Sequence, residues 1–511
     1  MPQDRTPVIV GAGQYTQRDV APEEALPPIG IAAEAARAAI AAAGAKGDLA
    51  AALDTIAVTR TFSDSTPRRS HDHGRATNPP RSLARDIGAD PARAVYSEAG
   101  GEVPQRYVNE YAELIAGGDA EAVLLAGGEA IATEKAARRA GLSLDWQDEA
   151  EGELDDRGFG VMFVDPRELA HGIGFPVQTY PLFEQAIRGR RGHGLREHLT
   201  AMGRLLSPFT AVAAENPYAY FPRRRSAEEI ATPSAENPFI GFPYTLLMNA
   251  RDGVDQGAAL VLTSAGKADE LGIPEENRVY LHGCADLRDK LLVGERVNYH
   301  SSPAIRLAGT EALAMAGIGI DDVRYFDLYS CFPSAVEAAA EALGIAEDDG
   351  RGLTLTGGLP YFGGPGNNYT MHAIAEAWRR CRDNPGEYAL VNGNGGYLTK
   401  HSIGIYSTRT VQDGWRRPDA APLQQEIDAM ESPAREHKPA GRGTVETYTV
   451  IFGREGAERG IVIGRLEENG ARFIANTPPD PALLTRMAEE EFLECAGTVA
   501  TGDVVNTFTP D

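Results

Sequence analysis

The stretch Ala122-Val123-Leu124-Leu125-Ala126, followed by Gly127-Gly128, decides the fold prediction, because the chain uses it twice. Five apolar residues in a row indicate a buried strand, and the glycines indicate a turn at its end. A similar pattern returns at Tyr388-Ala389-Leu390-Val391, which enters Gly393-Asn394-Gly395-Gly396. The chain is therefore predicted to contain a repeated unit.

Each copy of the unit also begins in the same way, with a strand, an alanine-rich helix closed by glycine, and a second strand. These segments are 8–10, 29–43 and 53–58 in the first copy, and 279–281, 303–316 and 323–328 in the second. A helical pattern precedes each glycine-rich stretch, at 103–115 and 371–382. Alternating strands and helices predict an α/β fold with a largely parallel sheet, in two halves related by a pseudo-two-fold axis.

The composition divides the chain into three parts. The two halves are predicted to span residues 1–270 and 271–418, and residues 130–245 of the first half lack a clean period. This segment is therefore predicted to be a loop insertion over one face. Because long insertions carry binding residues in many folds, it is also expected to contribute to binding. In residues 419–511, the stretches 443–450 and 460–466 read as strands, which predicts a small β-rich, OB-like domain.

Several strings resemble thiolases, especially the sterol-carrier-type branch, over roughly residues 5–415. Tyr244-Thr245-Leu246-Leu247-Met248-Asn249, followed by Val254-Asp255-Gln256-Gly257, resembles the segment that closes the first half of a thiolase. Tyr329-Ser330-Cys331-Phe332 falls where many thiolases have Asn-Glu-Ala-Phe, and Gly357-Gly358 through Gly364-Pro365 falls where they have a Gly-Gly turn and Gly-His-Pro. The resemblance implies the duplicated thiolase fold, layered α-β-α-β-α, as in acetyl-CoA acetyltransferases.

The resemblance also shows which thiolase side chains are missing. The nucleophilic cysteine of the family, a thiolate at a helix N-terminus, corresponds to Gly101, and the first cysteine of this chain is Cys284. The family histidine corresponds to Gly364, and the second cysteine falls near Val391 or Asn392. A two-step reaction through an acyl-cysteine at position 101 is therefore excluded.

Other polar residues surround the positions that the resemblance assigns to the site. Tyr329 takes the place of the Asn or His that holds an oxyanion-hole water, and a phenol can donate to an enolate or relay a proton. The candidate catalytic residues are Tyr329, His372, His401, Asn368 and Cys331. Each also fits a structural role, as a buried aromatic, a hydrogen-bonded polar residue or an inert thiol.

Coenzyme A, as substrate or ligand rather than a tightly bound cofactor, requires cations for its phosphates. Two basic runs of the insertion could supply charge-assisted hydrogen bonds: Arg188, Arg190 and Arg191, and Arg223, Arg224 and Arg225. In thiolases this insertion holds CoA. The alternative is that both runs are solvated loops on an acidic surface.

Composition limits the other partners. A net charge of −24 disfavours nucleic acid, and four cysteines without CxxC spacing predict reduced thiols and no metal site. No long apolar run predicts a membrane span or a signal peptide, so we expect a cytoplasmic protein. The thiolase resemblance implies a homodimer that pairs through a sheet edge, unless the appended domain blocks that edge and leaves a monomer.

Three functions remain open from the sequence. The first is an acyl-CoA-binding acyltransferase of the acetyl-CoA type with a non-standard site, in which Gly101 and Gly364 replace catalytic residues. The second is a carbon–carbon lyase that performs a retro-aldol reaction on 3-hydroxyacyl-CoA, which needs no cysteine and resembles thiolase-like steroid side-chain aldolases with OB-fold partners. The third is a non-catalytic acyl-CoA-binding or scaffold protein.

Overall fold

Two copies of one strand–helix pattern form the body of the protein. The computed structural model describes residues 5–65, 71–411 and 414–511. The first half contains β1 (Pro7–Thr16), α1 (Pro28–Ala43), α2 (Leu49–Ala52), β2 (Thr55–Val58), α3 (Pro79–Ile87), β3 (Arg93–Tyr96), α4 (Val103–Gly117) and β4 (Ala122–Ala130). An insertion follows, with α5 (Ile131–Ala140), β5 (Asp155–Asp156), α6 (Pro166–Ala170), α7 (Pro176–Arg191), α8 (Leu195–Glu215), α9 (Ala227–Ala231), β6 (Phe239–Gly241) and β7 (Tyr244–Thr245); β8 (Asp255–Ser264) and α10 (Ala265–Glu270) close the half.

The second half repeats the first in a shorter form. It contains β9 (Val279–Arg288), α11 (Pro303–Ala316), β10 (Val323–Leu328), α12 (Pro333–Leu343), α13 (Tyr369–Asp383), β11 (Tyr388–Gly395) and β12 (Lys400–Ser407). The C-terminal part contains α14 (Ala421–Ala429), β13 (Gly441–Gly453), β14 (Gly456–Leu466), β15 (Arg472–Asn476), α15 (Pro481–Glu489), β16 (Ala496–Ala500) and β17 (Thr507–Pro510).

The strand order confirms the duplication. It runs β10-β11-β12-β9-β1-β8-β4-β2-β3-β5, so the order in one half mirrors the order in the other about the boundary between β9 and β1. The halves join where Val8 and Ile9 pair antiparallel with Tyr280 and Val279. The sequence predicted a largely parallel sheet, but β8 and β12 run antiparallel to both of their neighbours. Each of them is the last strand of its half and lies next to the first strand of that half.

Helices α4 and α13 form the middle layer of the fold. On α13, Trp378 donates to the carbonyl oxygen of Ile9 on β1 (3.3 Å), and Cys381 donates to that of Tyr406 on β12 (3.5 Å). The hydroxyl of Tyr406 in turn donates to Gln105 on α4 (2.7 Å). Helix α1 covers the opposite face of the first-half strands, and α11 covers the opposite face of the second-half strands. This arrangement is the α-β-α-β-α layering that the resemblance implied.

The glycines Gly127, Gly128, Gly393 and Gly395 lie inside strands, contrary to the predicted turns, whereas Gly396 lies in a turn with a φ of 69°, as predicted. Strand β4 continues through Gly127 and Gly128, and β11 continues to Gly395. A Cβ atom at Gly128 would overlap the backbone of α1 at Pro28 and Ala32. Gly128 therefore lets α1 pack closely on the strand, a role that periodicity does not distinguish from a turn.

The insertion is largely helical, whereas the sequence predicted an irregular loop. Helix α7 has 16 residues and α8 has 21, and each contains an internal proline, Pro181 and Pro208 respectively. Proline removes a backbone donor and weakens the helical signal in the sequence, which explains the wrong prediction. Within the described residues, every helix is too short or too polar to cross a membrane.

A short strand of the insertion covers one edge of the sheet. Strand β5 pairs parallel with β3, matching Val95 with Asp155 and Tyr96 with Asp156. Uncovered edge strands present free backbone donors and acceptors to a second chain. The edge of the sheet at β3 is thus covered by the insertion rather than by the appended domain.

The C-terminal part is a small β-barrel, which confirms the β-rich prediction. Strands β13, β14, β15, β17 and β16 pair in a ring that closes between β16 and β13, and α15 connects β15 to β16. Five strands are the number found in an OB fold. Strand β6 of the insertion adds to β13 through the pair Gly241 and Ile451, so the barrel is joined to the first half.

A cavity of about 270 Å³ lies between the barrel and the thiolase-like body, and buried Glu168 lines it. The backbone N–H of Gly294 donates to Glu168 Oε1 (2.7 Å), while Oε2 has no hydrogen-bond partner among the described residues. Burial raises the pKa of Glu168 from its ordinary value near 4.5 to about 7. The carboxylate form is therefore disfavoured in the folded protein.

Glu168→Gln is expected to stabilise the protein at high pH. Because the folded pKa is raised, the stability due to the Glu168 proton is complete below pH 4.5 and is lost as pH rises through about 7. At pH 8 the variant should exceed the wild type by about 3 kcal/mol in unfolding free energy, and near pH 4.5 the difference should fall below about 0.5 kcal/mol. Urea unfolding from pH 4.5 to 8 tests this, and a difference independent of pH would contradict it.

Candidate active site

Three loops meet at Gly101, the residue that the sequence resemblance aligns with the thiolase nucleophile. Gly101 lies just before α4, Tyr329 follows β10, and Asn394 lies near the end of β11. A Cβ atom built on Gly101 would overlap the hydroxyl oxygen of Tyr329 and lie 2.5 Å from the carbonyl oxygen of Asn394. Thr370 Oγ1 donates to the carbonyl oxygen of Gly101 (2.5 Å) and holds this loop. The space of the missing side chain is thus filled by Tyr329.

The phenol of Tyr329 is a neutral group in this environment. Its residue is 7% exposed, and its ring packs edge-on against Tyr369 at 5.3 Å between centroids. Burial, with smaller contributions from Cys331 and Glu102, raises the pKa of Tyr329 well above its ordinary value near 10. At neutral pH the hydroxyl can therefore donate a hydrogen bond but does not act as a phenolate.

A second tyrosine, Tyr180 on α7 of the insertion, organises the β11–β12 turn beside this site. Its hydroxyl accepts from Asn394 Nδ2 (2.9 Å) and from the N–H of Leu398 (3.2 Å), and donates to the carbonyl oxygen of Gly396 (3.1 Å). Asn394 Nδ2 also lies 3.9 Å from Cys331 Sγ. The insertion thus contributes directly to the site.

Cys331 is a thiol rather than a thiolate in this network. It is buried, and desolvation raises the pKa of Cys331 to about 12. Since the thiolate is the nucleophilic form, Cys331 does not replace the missing nucleophile. The structure therefore brings the predicted residues Tyr329 and Cys331 close together.

A buried ion pair lies on the other side of Gly101. Lys400 Nζ is 2.9 Å from Glu102 Oε1 and donates to the carbonyl oxygen of Ala99 (2.8 Å). Glu102 Oε2 is buried and has no hydrogen-bond partner among the described residues. Glu102, Asn394 and Tyr180 were absent from the predicted site; a charged residue directly after Gly101 was the one available signal for Glu102.

His372 lies in the core rather than beside Tyr329. Its Nδ1 is 2.8 Å from Gln14 Oε1 on β1, and its ring packs against Phe362 at 5.0 Å between centroids. Burial lowers the pKa of His372 to about 3, so the imidazole is neutral. The position fits a structural contact between α13 and β1, and we leave His372 out of the proposed chemistry.

Asn368 and His401 also have structural partners. Asn368 Nδ2 donates to the carbonyl oxygen of Gly127 on β4 (2.9 Å), which ties the start of α13 to the first half. His401 is directly opposite Asn394 in the β11–β12 pairing, and its Nε2 lies 3.5 Å from Asp289 Oδ2. His401 therefore lies on a strand next to the site, whereas the other predicted polar residues, His372 and Asn368, contact the first half of the protein.

Two arginines of the first basic run, Arg188 and Arg191, form ion pairs within the protein. Arg188 is 1% exposed and forms two hydrogen bonds to the carboxylate of Glu491, at 2.6 and 2.7 Å. Arg191 pairs with Glu337 (3.1 Å) and with Glu347. Arg190 is exposed. The sequence expectation is corrected for Arg188 and Arg191, because their guanidinium groups already serve as internal ion-pair partners.

The second basic run lies on the surface next to the loop that contains Gly364. The N–H groups of Tyr220 and Phe221 donate to the carbonyl oxygens of Phe362 (2.7 Å) and Tyr361 (3.1 Å), which fixes the segment before the run. Within the run, Arg223 is exposed, Arg224 pairs with Glu215 at 2.5 Å, and Arg225 approaches Glu229 at 3.8 Å. These exposed cations remain available to an anionic ligand.

Comparison with known proteins agrees with this architecture. Residues 422–504 match the family model described as the thiolase-like protein type 1 additional C-terminal domain. A search of curated proteins finds no match. Two solved structures share the fold at low identity: the Ltp2-ChsH2(DUF35) aldolase (22% identity, TM-score 0.57) and acetyl-CoA acetyltransferase from Syntrophomonas wolfei (18%, 0.56). The alignments cover 79% of this chain in both cases, and 98% and 99% of those chains.

One similar structure extends over the whole chain. It is a monomeric SCP2-thiolase-like protein type 1 from Mycobacterium smegmatis, 41% identical, with a TM-score of 0.85 and complete coverage of both chains. Its likeness includes the thiolase-like halves, the insertion and the barrel together. The chain therefore belongs to the SCP2-thiolase-like protein type 1 family of the thiolase superfamily.

Proposed function

We propose that the protein binds acyl-CoA thioesters and cleaves a carbon–carbon bond of 3-hydroxyacyl-CoA by a retro-aldol reaction. The observation that carries this proposal is the Tyr329 hydroxyl in the space of the thiolase nucleophile. That placement supplies a hydrogen-bond donor, the Tyr329 hydroxyl, where thiolases form an acyl-enzyme on cysteine. It does not favour the acyltransferase hypothesis, whose usual route begins with that covalent intermediate.

The proposed reaction needs one proton acceptor and one oxyanion donor. Glu102 accepts the proton of the substrate 3-hydroxyl, the C2–C3 bond breaks, and its electron pair moves into the thioester as an enolate. Tyr329 donates to the enolate oxygen, and the proton held by Glu102 is then transferred to C2, which returns Glu102 to its carboxylate form. The products are an aldehyde or ketone and a shortened acyl-CoA, whose atoms together equal those of the substrate.

In this proposal the insertion holds the CoA part of the ligand. Arg223, Arg224 and Arg225 lie next to the Gly364 loop and are partly exposed, which suits charge-assisted hydrogen bonds to phosphate. Arg190 is a further exposed cation. The covered edge of β3 supports a monomer for this chain.

The likeness to the Ltp2-ChsH2(DUF35) aldolase supports the proposal at the level of the fold alone. One protein with this architecture is an aldolase, and another, from Syntrophomonas wolfei, is an acetyl-CoA acetyltransferase. Because one fold hosts several reactions, the site residues have to decide between them.

A second candidate function is non-catalytic binding of acyl-CoA. The burial of Tyr329 and Cys331, and the high pKa that burial gives both groups, favour it. Groups that stay neutral and enclosed stabilise the fold without transferring protons. This candidate predicts ligand binding without turnover.

A product assay on the purified protein tests these functions. We expect 3-hydroxyacyl-CoA esters to be cleaved without added CoA, and Tyr329→Phe to lower kcat at least tenfold with little change in KM. The matched control is Tyr361→Phe, because Tyr361 is a buried tyrosine whose hydroxyl has no hydrogen-bond partner among the described residues. Its kcat should remain near that of the wild type.

Mass spectrometry distinguishes the outcomes. CoA-dependent cleavage of 3-ketoacyl-CoA esters would overturn the lyase in favour of acyl transfer. Binding of CoA esters without any product would overturn it in favour of the non-catalytic candidate. Equal losses of kcat in both tyrosine variants would remove Tyr329 from the chemistry.

A further inference from the structure

We propose that Glu184, His198 and Glu337 bind a divalent transition-metal cation of the Zn²⁺ type between helices α7, α8 and α12. Each residue offers one ligand atom, and these atoms all lie within 4.8 Å of one another. The three residues are 0%, 0% and 1% exposed. Carboxylate oxygens and imidazole nitrogen are ordinary zinc ligands, and this set leaves a further coordination position for water.

The polar atoms not needed as ligands are held by neighbouring side chains. These contacts are Tyr244 Oη to Glu184 Oε2 (2.7 Å), Arg191 to Glu337 Oε1 (3.1 Å) and His193 Nδ1 to His198 Nδ1 (3.3 Å). In metal sites, outer hydrogen bonds of this kind fix the orientation of each carboxylate and the tautomer of the histidine. Here they leave Glu184 Oε1, His198 Nε2 and Glu337 Oε2 as the available ligand atoms.

One of these atoms is unsatisfied without a cation. Glu337 Oε2 is buried and has no hydrogen-bond partner in the described part of the chain. Glu184 Oε1 and His198 Nε2 are 2.5 Å apart, a contact that metal ligation would replace by two bonds to the cation. A buried carboxylate oxygen without a partner is costly, and a cation removes that cost.

Charge balance also supports a divalent cation. Glu184, Glu337 and Glu347 lie near Arg191, which pairs with Glu337 and Glu347, whereas nearby Arg188 is already paired with Glu491. Burial raises the pKa of Glu184 to about 7 and the pKa of Glu337 well above its ordinary value, so both carboxyl groups favour bound protons without a cation. With His198 neutral and both protons displaced, as metal ligation requires, the three carboxylates exceed the Arg191 guanidinium by two charges. A divalent cation neutralises that excess in a buried region.

The cluster is separate from the site at Tyr329. The rings of Phe332 and Tyr244 stack between them, at 5.3 Å between centroids. Two ligands belong to the insertion and the third to the second half, so the cation would tie the insertion to the body of the protein. The sequence predicted no metal because the ligands come from three helices and form no recognisable spacing.

Metal analysis of the full chain tests the proposal. The protein is expressed in zinc-supplemented medium and purified without chelators, because a buried site is loaded during folding. We expect about one Zn²⁺ per chain by mass spectrometry, a melting temperature several degrees lower after chelation in mild denaturant, and recovery on adding Zn²⁺.

Two variants separate ligation from general charge effects. Glu337→Gln should lower metal content at least tenfold, whereas Glu347→Gln, which also removes a partner of Arg191, should retain it. Metal-free wild-type protein after expression with Zn²⁺, Mn²⁺ or Fe²⁺ would overturn the proposal, as would equal metal content in both variants. If Glu337→Gln does not fold, X-ray absorption spectroscopy of the zinc-loaded wild type tests the site instead. A zinc coordination shell that lacks one imidazole nitrogen and carboxylate oxygens would contradict the proposal.

Discussion

Gly101→Cys, which restores the thiolase nucleophile to its family position, is expected to lower the unfolding free energy by about 3 kcal/mol or more and to produce no thiolysis. The new Cβ atom would overlap the Tyr329 hydroxyl and approach the Asn394 carbonyl oxygen to 2.5 Å. A carbonyl oxygen on a buried strand end has little room to move. Urea unfolding and an assay for CoA-dependent ketoester cleavage measure the two effects.

Gly364→Ala provides the matched control. Gly364 is also buried and also replaces a family catalytic residue, but its Cβ atom would meet Arg251 at 3.4 Å and Leu359 at 3.5 Å, which are close to ordinary contacts. We expect a change within about 0.5 kcal/mol. A similar loss in both variants would mean that glycine content, rather than the occupied space, limits position 101.

A double-mutant cycle identifies the residue that fills the space. Tyr329→Ala alone opens a cavity and destabilises the protein, but combined with Gly101→Cys it should recover at least about 1 kcal/mol of the expected sum. Additive losses would show that Tyr329 does not obstruct position 101, and would remove the main support for the proposed function.

Arg472→Ala is expected to destabilise the protein by about 3–5 kcal/mol, because it breaks a buried ion pair within the barrel and two hydrogen bonds from the barrel to the body. Arg472 is 1% exposed, pairs with Glu446 at 2.7 and 2.9 Å, and donates to the carbonyl oxygens of Gly294 (3.2 Å) and Arg296. Its loss removes the donor to the Gly294 and Arg296 carbonyl oxygens and leaves Arg465 as the remaining ion-pair partner of Glu446. Urea unfolding measures the loss, and protease sensitivity near the barrel junction locates it.

Arg465→Ala is the control for this effect. Arg465 makes two hydrogen bonds to the same carboxylate of Glu446, at 2.7 and 3.0 Å, but its side chain is 31% exposed. Water can replace its contacts, so we expect a loss of at most about 1 kcal/mol. Equal effects of the two variants would show that burial at the junction is not what makes Arg472 important.

The architecture was predictable because its signals are local. Apolar runs at 122–126 and 388–391, with matching helices before them, predicted the duplicated halves, and the alternating stretch at 443–450 predicted the barrel. The helical insertion was missed because prolines inside α7 and α8 interrupt the pattern. Gly128 was misread as a turn because only the contact with α1 shows its role.

The sequence by itself determined that no cysteine stands at or near position 101 and that glycine replaces the family histidine at 364, since both facts are residue identities. Only the tertiary structure decided that the Tyr329 hydroxyl occupies the nucleophile's space, that Arg188 is buried against Glu491, and that three acidic and histidine ligands meet between helices. Periodicity records which face of an element is buried, over a few residues at a time. The partner of a buried polar side chain depends on packing between segments that are distant in the chain, and no local pattern records it.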